Sequence, residues 1–168
     1  LAPYPHPHER VCHLLDEACA RGYDALLERH KADYRSLMGR VTFEISAAGY
    51  ELPTDELLAR YAAGEKLGYL EMVYFQFGRH LLISSSRPGT ANLQGVWNCY
   101  DQSPWGAGYW HNINVQMNYW PSFPANLAET FTAYADYARA YMDEARSGAD
   151  FYIRELMPEN YTAPGTNG

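Results

Sequence analysis

A chain of 168 residues, 47% of them hydrophobic, can bury the core of one domain and is too apolar to remain intrinsically disordered. Its formal net charge of −7, with Lys and Arg scattered singly, argues against non-specific nucleic-acid binding, which needs a basic surface. No apolar run approaches the roughly 20 residues of a membrane span.

Residues 1–7 read as a Pro-rich linker without the basic and apolar regions of a signal peptide. His6 and His8 stand at a spacing that could touch a metal, but in a Pro-rich stretch they read as solvated. From His8 to Ala20, Val11, Leu14, Leu15 and Ala18 recur at the helical period. Cys12 and Cys19 then lie about 10 Å apart at 1.5 Å per residue, beyond disulfide reach. With Cys99 they make an odd count without CxxC or Cys/His zinc spacing, so all three read as reduced, small and mostly buried, and no metal is expected. Arg21-Gly22 interrupts the pattern.

A second helix follows. Tyr23, Leu26, Leu27, His30, Tyr34, Leu37 and Met38 form one face, with Glu28, Arg29, Lys31, Asp33 and Arg35 mostly opposite. His30, on the apolar face, reads as a structural histidine. Gly39 ends this run. Val41-Thr42-Phe43-Glu44-Ile45 alternates and predicts a short strand, and Ala47-Ala48-Gly49-Tyr50 predicts a turn. Thr54 is suited to cap a short helix to about Ala63, with Asp55 and Glu56 in its first turn. From Glu65 to about Ser84 the apolar residues cover nearly the whole circumference, which predicts a central buried helix. Gly68 and Gly78 weaken it by up to about 1 kcal/mol each relative to Ala, so they are expected where packing is close.

Residues 85–121 show no sustained period. So long a stretch inside a compact domain is functional or disordered, and Trp97, Trp105, Tyr109, Trp110 and Trp120 argue for order. Its centre, Trp110 to Pro121, holds three asparagines, a glutamine and a histidine, but no Lys, Arg, Asp or Glu. Amides donate and accept hydrogen bonds at any pH, so beside aromatic rings they suit a neutral, hydroxyl-rich ligand, a sugar. A buried connector whose amides satisfy loop backbone would have the same composition, and both readings stand. Asn126 and Glu129 resemble a capping box. They precede a long helix whose face includes Phe131, Tyr134, Tyr137, Tyr141, Tyr152 and Leu156, with a kink possible at Gly148 and a stop at Pro158. Asn160 to Gly168 reads as a loose tail. The fold class is all-α with one short β-strand. Helices joined by long loops suit an α/α toroid, which periodicity does not separate from an irregular bundle.

Five segments, in order, carry a resemblance. They are His30-Lys31-Ala32-Asp33-Tyr34, Leu52-Pro53-Thr54-Asp55-Glu56, the run from Phe77-Gly78-Arg79-His80 to Ser86-Arg87-Pro88-Gly89, the run from Ala91-Asn92-Leu93-Gln94 to Val96-Trp97-Asn98, and Asn112-Ile113-Asn114-Val115-Gln116-Met117-Asn118-Tyr119-Trp120-Pro121. Together they closely resemble glycoside hydrolase family 95, the inverting α-L-fucosidases and their α-L-galactosidase relatives. The resemblance implies an (α/α)6-barrel catalytic domain, with residues 8–168 as a truncated N-terminal part, a partial six-hairpin toroid. Family chains are several times longer, with β domains on either side of the barrel. It further implies hydrolysis of terminal α-L-fucosyl or related α-L-galactosyl linkages with inversion and with no metal or cofactor. The implied partners are an oligosaccharide or glycan substrate and the remainder of the parent polypeptide, with no nucleic acid or membrane. Location stays unknown; a secreted or cell-surface parent would suit the substrate.

In the family the two asparagines of an N-x-N motif help position and activate the attacking water, and they match Asn112 and Asn114. In an extended segment their side chains would point the same way and could hold one water. The family's general acid is a glutamate well downstream, so the acid and its carboxylate partner are expected beyond Gly168. Between Glu71 and Glu129 the only carboxylate is Asp101, beside Gln102-Ser103-Pro104, which reads as a solvated loop. Asn92, Gln94, Trp97 and Asn98 line the sugar pocket or bond loop backbone. His111 contacts a sugar hydroxyl or packs. Gln116 is adjacent in sequence, and the resemblance implies a substrate-binding place for it. Arg79 and Arg87 are expected to tie loops to carboxylates or carbonyls, and Met117, Tyr119 and Trp120 to be core. The alternatives are a non-catalytic sugar-binding fragment or another sugar-active α/α-barrel enzyme. A truncated toroid would expose the face from Phe131 to Leu156 and associate.

Overall fold

Helix α1 (Pro7–Arg21) begins where Pro7, with its fixed φ and missing N–H, suits the first helical position. The computed structural model describes residues 6–94 and 97–160, which divide into two units after Phe43. The first unit contains α1 and α2 (Tyr23–Met38). His6 caps α1, its Nδ1 accepting from His8 N–H at 3.3 Å, so that ring serves the helix end. Of the 1–7 linker, residues 1–5 lie outside the described residues. Gly22 joins the helices at φ 78° and ψ 160°, a conformation that glycine adopts without a Cβ penalty. Helix α1 has no buried residue, and Leu37 is the buried residue of α2. The three cysteines are free and exposed, contrary to the expectation of burial. On α1 the packing against α2 leaves Ala18 half-buried and buries no residue fully. His30 is also exposed, stacked on Tyr34 with ring centroids 5.9 Å apart.

The alternation over residues 41–45 does not produce a strand, and no strand occurs among the described residues. Phe43 and Ile45 are exposed, so the alternation does not line up a buried face. Ile45 N–H donates to the Met72 thioether at 3.3 Å instead of to a neighbouring strand.

The second unit contains α3 (Thr54–Ala62), α4 (Gly68–Ser85), α5 (Asn114–Tyr119) and α6 (Ala128–Leu156), with 3-10 turns at Pro104–Ala107, Trp120–Ser122 and Pro158–Asn160. Gly49, at φ 95°, makes the turn before α3, and a Cβ there would stand 2.6 Å from Leu57, which is itself buried. Pro53 rather than Thr54 is the cap of α3; its carbonyl accepts from Leu57 N–H at 2.9 Å. Gly68 is a close-approach glycine, with Ser46 Cβ 2.8 Å from where its own Cβ would be. Gly78 is not: nothing lies within 4 Å. Helix α4 buries Gly68, Arg79, Leu82 and Ile83, while Tyr74 is 79% exposed. It is apolar all round but covered on one side only.

Buried Arg79 ties α4 to the approach of α6, its Nε donating to the Ala125 carbonyl at 3.2 Å and its Nη1 to Gln76 at 2.9 Å. The expected capping box does not form. Asn126 sits at φ 56°, which asparagine tolerates better than most residues, and Leu127 takes the cap position. Donors at this end are satisfied otherwise: Leu127 N–H donates to the Ser122 carbonyl at 2.7 Å and Thr130 N–H to the Leu127 carbonyl at 3.0 Å, while Thr130 Oγ1 adds a 2.7 Å bond to the same carbonyl. Helix α6 then runs uninterrupted through Gly148 to Leu156, with Thr130 and Ala133 as its buried residues. The core of this unit lies around Leu57, Leu67, Leu82, Ile83, Val115, Tyr119 and Leu127, so α5 is among its best-buried elements.

Candidate active site

The segment from Trp110 to Pro121 is neither an open loop nor extended. Trp110 (φ 53°) and Ile113 (φ 76°) are both in the left-handed region, which turns the chain sharply into α5. Ile113 N–H donates to the His111 carbonyl at 3.2 Å, Val115 N–H to Trp110 O at 3.2 Å, and Met117 N–H to Ile113 O at 2.8 Å. Asn112 therefore lies in the turn, and Asn114 is the first residue of α5. The side-chain alternation of an extended N-x-N does not apply. Both asparagines are exposed, and neither amide has a side-chain hydrogen bond among the described residues. Their polar capacity is unspent.

The inward side of α5 anchors this turn. Val115 is fully buried, and Tyr119 packs its ring on Tyr134 at 5.4 Å. The Tyr119 hydroxyl accepts from Ala91 N–H at 2.8 Å and lies 2.9 Å from Ser86 Oγ. Of the three residues expected in the core here, only Tyr119 is buried; Met117 is exposed off the packed side of α5, and Trp120 is exposed at the start of the 3-10 turn that follows it.

His111 packs. Its ring stacks on Tyr141 at 4.7 Å and on Tyr137 at 5.5 Å, and its Nε2 is hydrogen-bonded to the Tyr137 hydroxyl. Burial, and then the neighbouring Tyr109, Tyr141 and Tyr134, push the Tyr137 hydroxyl above its ordinary titration range. Gln116 Nε2 donates to the His111 carbonyl, so this side chain braces the turn. Its Oε1 is buried and unpaired.

The loop residues divide. Asn98 is spent on its own loop, donating to Tyr100 O at 2.9 Å and Ser103 Oγ at 2.6 Å and accepting from Tyr100 N–H. Asn92 Oδ1 accepts from Gln94 N–H at 3.1 Å, a local turn bond. Asn92 also lines, with Gln94, Trp97 and Asn118, a cavity of about 290 Å³ whose other walls include Leu81 and Leu93. A second cavity, of about 420 Å³, is lined by Leu93, Gln94, Trp105, Trp110 and Asn114. Gln94 serves both. Its Nε2 donates to Pro104 O at 2.7 Å, while its Oε1 is buried without a partner. Asn112, Asn98, His111 and Gln116 line neither of these two cavities. Sequence reasoning did not select Trp105, Trp110 or Asn118 for the site. Trp110 and Asn118 belong to the amide-and-aromatic segment that suggests a sugar site, though neither is singled out there, whereas Trp105 lies outside that segment and reads only as a mark of order.

Asp101 is exposed. Among the described residues, no cluster of three His, Cys, Asp or Glu forms that could hold a metal, and no helix is long and apolar enough to cross a membrane. The second unit also has a cavity of about 580 Å³ beside α3, where Tyr61 donates to Glu71 at 3.1 Å.

Residues 22–156 match the glycosyl hydrolase family 95 catalytic domain. The chain is 40% identical over 135 residues to Alpha-L-fucosidase 2 of Arabidopsis thaliana, covering 76% of this chain and 16% of that protein. It is 36% identical over 129 residues to Probable alpha-fucosidase A of Aspergillus niger, covering 74% of this chain and 16% of the relative. Against the protein of the same name from Aspergillus oryzae it is 37% identical over 139 residues, covering 78% and 19%. The chain thus spans less than a fifth of the length of the curated relatives it matches. Its all-helical structure is consistent with part of an α/α barrel, and with the match running from Gly22 to Leu156, the chain belongs to the glycosyl hydrolase family 95 catalytic domain family.

Proposed function

We propose that this chain supplies the water-positioning half of a site that hydrolyses terminal α-L-fucosyl, or related α-L-galactosyl, linkages in a glycan with inversion. Residues 8–168 form the N-terminal part of the barrel, and the remainder of the parent polypeptide completes it. Inversion needs a protonated acid on the leaving oxygen and an activated water on the opposite face of the sugar ring. Asn112 and Asn114 orient that water. An amide oxygen accepts a hydrogen bond from water, but an amide is too weak a base to take its proton, so a carboxylate beyond this chain receives it. A second carboxyl group, also outside the chain, protonates the leaving group. The observation that carries this assignment is the pair of exposed, unbonded amides at the entry to α5, one of them lining a cavity walled by tryptophan. The scarcity of carboxylates supports the division: between Glu71 and Glu129 there is only Asp101, on an exposed loop.

A chimera tests it. Residues 22–156 replace the matching segment of the Arabidopsis relative, and hydrolysis of an aryl α-L-fucoside is followed by NMR of the released sugar. The chimera is expected to release the β anomer. Asn112→Ala and Asn114→Ala in it are each expected to lower kcat by about 10²–10³-fold, the usual loss for one preorganised polar group acting on the transition state. The isolated chain is expected to show no turnover. Turnover by the isolated chain, or asparagine variants as fast as the parent chimera, would refute the assignment.

A further inference from the structure

Helix α1 carries two side chains whose spacing suits a metal ion better than it suits a direct bond. His8 and Cys12 stand four residues apart, so they lie one turn apart on the same face. Cys12 Sγ is 3.6 Å from His8 Nε2, and both residues are exposed. Zinc holds a thiolate sulfur at about 2.3 Å and an imidazole nitrogen at about 2.0–2.1 Å with near-tetrahedral angles, which sets the two ligand atoms about 3.6 Å apart. The pair already has that edge length. As a bare S–H···N contact it gains little, because a thiol is a weak donor and water competes on an exposed helix. The neighbouring histidine does not share the task. His6 Nδ1 accepts from His8 N–H at 3.3 Å and is committed to the helix end, so the ligand pair is His8 with Cys12 rather than His6 with His8.

We propose that His8 and Cys12 form a two-residue chelate for a zinc-class cation, bridging the first and second turns of α1. A thiolate beside an imidazole selects borderline and soft ions such as zinc and cobalt(II) over magnesium and calcium, which take oxygen ligands. Cys12 binds as the thiolate, and its proton passes to solvent as the sulfur–metal bond forms. His8 binds through the Nε2 lone pair and keeps its proton on Nδ1. The other two tetrahedral positions stay open to solvent, since no third His, Cys, Asp or Glu completes a cluster among the described residues. Affinity is therefore below that of a closed four-ligand site. The structural gain is local. Helix α1 has no buried residue, so packing holds it weakly, and a metal clamp between residues 8 and 12 adds the restraint that burial does not supply. The family match begins at Gly22, after this helix, so the site is independent of the hydrolase reading.

The test titrates the full chain, reduced and metal-free, with cobalt(II) chloride. The expected result is a thiolate-to-cobalt charge-transfer band in the near ultraviolet, bleached when zinc chloride displaces the cobalt and absent with magnesium chloride. Cys12→Ser is expected to remove the band. His8→Ala is expected to weaken binding at least about tenfold, the least that losing even an outer partner of a metal ligand costs. Both side chains are exposed, so neither variant endangers folding, and circular dichroism verifies that helix content is kept. Cys19→Ser, Cys99→Ser and His13→Ala are expected to bind as the parent chain does. Zinc is also expected to slow amide hydrogen exchange from Arg10 to Leu14 in the parent chain and not in Cys12→Ser. Absence of the band overturns the proposal. So does a band that survives Cys12→Ser, which puts the metal on another thiol, and a band that His8→Ala leaves at full affinity, which reduces the site to a lone thiolate. Hydrogen exchange unchanged by zinc refutes the clamp.

Discussion

Replacing Tyr119 with phenylalanine isolates the hydroxyl that joins α5 to the loop carrying the cavity residues. The ring, its volume and its stacking on Tyr134 are retained, so the cost is polar. Ala91 N–H donates to that hydroxyl at 2.8 Å, and both residues are buried. Without it the donor is stranded where water does not replace the acceptor, at about 1–3 kcal/mol. Ser86 Oγ loses a 2.9 Å partner and keeps a longer 3.4 Å contact with Ser85 Oγ, which adds about 0.5–1 kcal/mol. The expected total is about 1.5–4 kcal/mol. In a chain of this length each kcal/mol moves Tm by about 2–4 °C, so Tyr119→Phe should lower it by on the order of 3–16 °C. Urea unfolding followed by circular dichroism, on Tyr119→Phe, Ser86→Ala and the double variant, measures the loss and the coupling. A loss below about 0.5 kcal/mol would show that Ala91 N–H finds solvent, and strictly additive single variants would show that the two hydroxyls do not share a bond. Either result refutes the account of how α5 is anchored.

Leu57→Ala, at a side chain packed over Gly49, is expected to cost about 2–5 kcal/mol in the same assay; a loss under 1 kcal/mol would contradict the packing. Gly49→Ala is expected to be destabilising as well, since it forces a Cβ to 2.6 Å from Leu57 on left-handed backbone, and an unchanged midpoint would count against it. Tyr137 titrates above its ordinary value, chiefly through burial. Its contribution to stability is therefore complete below about pH 10, the unfolded value, and is lost as pH rises through the higher folded value; the decline should shrink in Tyr137→Phe, and an identical alkaline profile would refute the shift. The exposed Phe151, Tyr152 and Leu156 on α6 predict concentration-dependent association. Light scattering that reports a monomer at every concentration would contradict this.

The helices were legible because their signals are local. Spacing and punctuation placed α1, α2, α3, α4 and α6 to within a few residues, with Gly22, Gly39 and Pro158 marking the breaks. What failed depends on partners that are distant or on backbone angles. Residues 41–45 alternate as a strand does, but a strand needs a neighbour, and Ile45 N–H meets a methionine sulfur. The Asn126–Glu129 spacing suits a capping box, yet a φ of 56° at Asn126 takes its side chain out of that geometry. In the site, the charge-free composition around Asn112 and Asn114 pointed to the segment that lies beside the cavities. Composition did not separate amides left free, such as these two, from Asn98, whose amide is consumed within residues 98–103. Nor did it reveal that His111 is clamped by two tyrosines on α6, 26 residues away at Tyr137.

The left-handed backbone at Trp105, Ala107, Trp110 and Ile113 also has a stereochemical consequence. For an L-residue that conformation costs about 1–2 kcal/mol, whereas for its mirror image it is the preferred one. Ala107, at φ 53°, carries only a methyl group, so a D-alanine introduced there by peptide ligation would keep the composition of the loop while relieving its chirality mismatch. At these four positions, and not at their neighbours, the shape is one that mirror-image building blocks hold more readily than the ribosomal ones do.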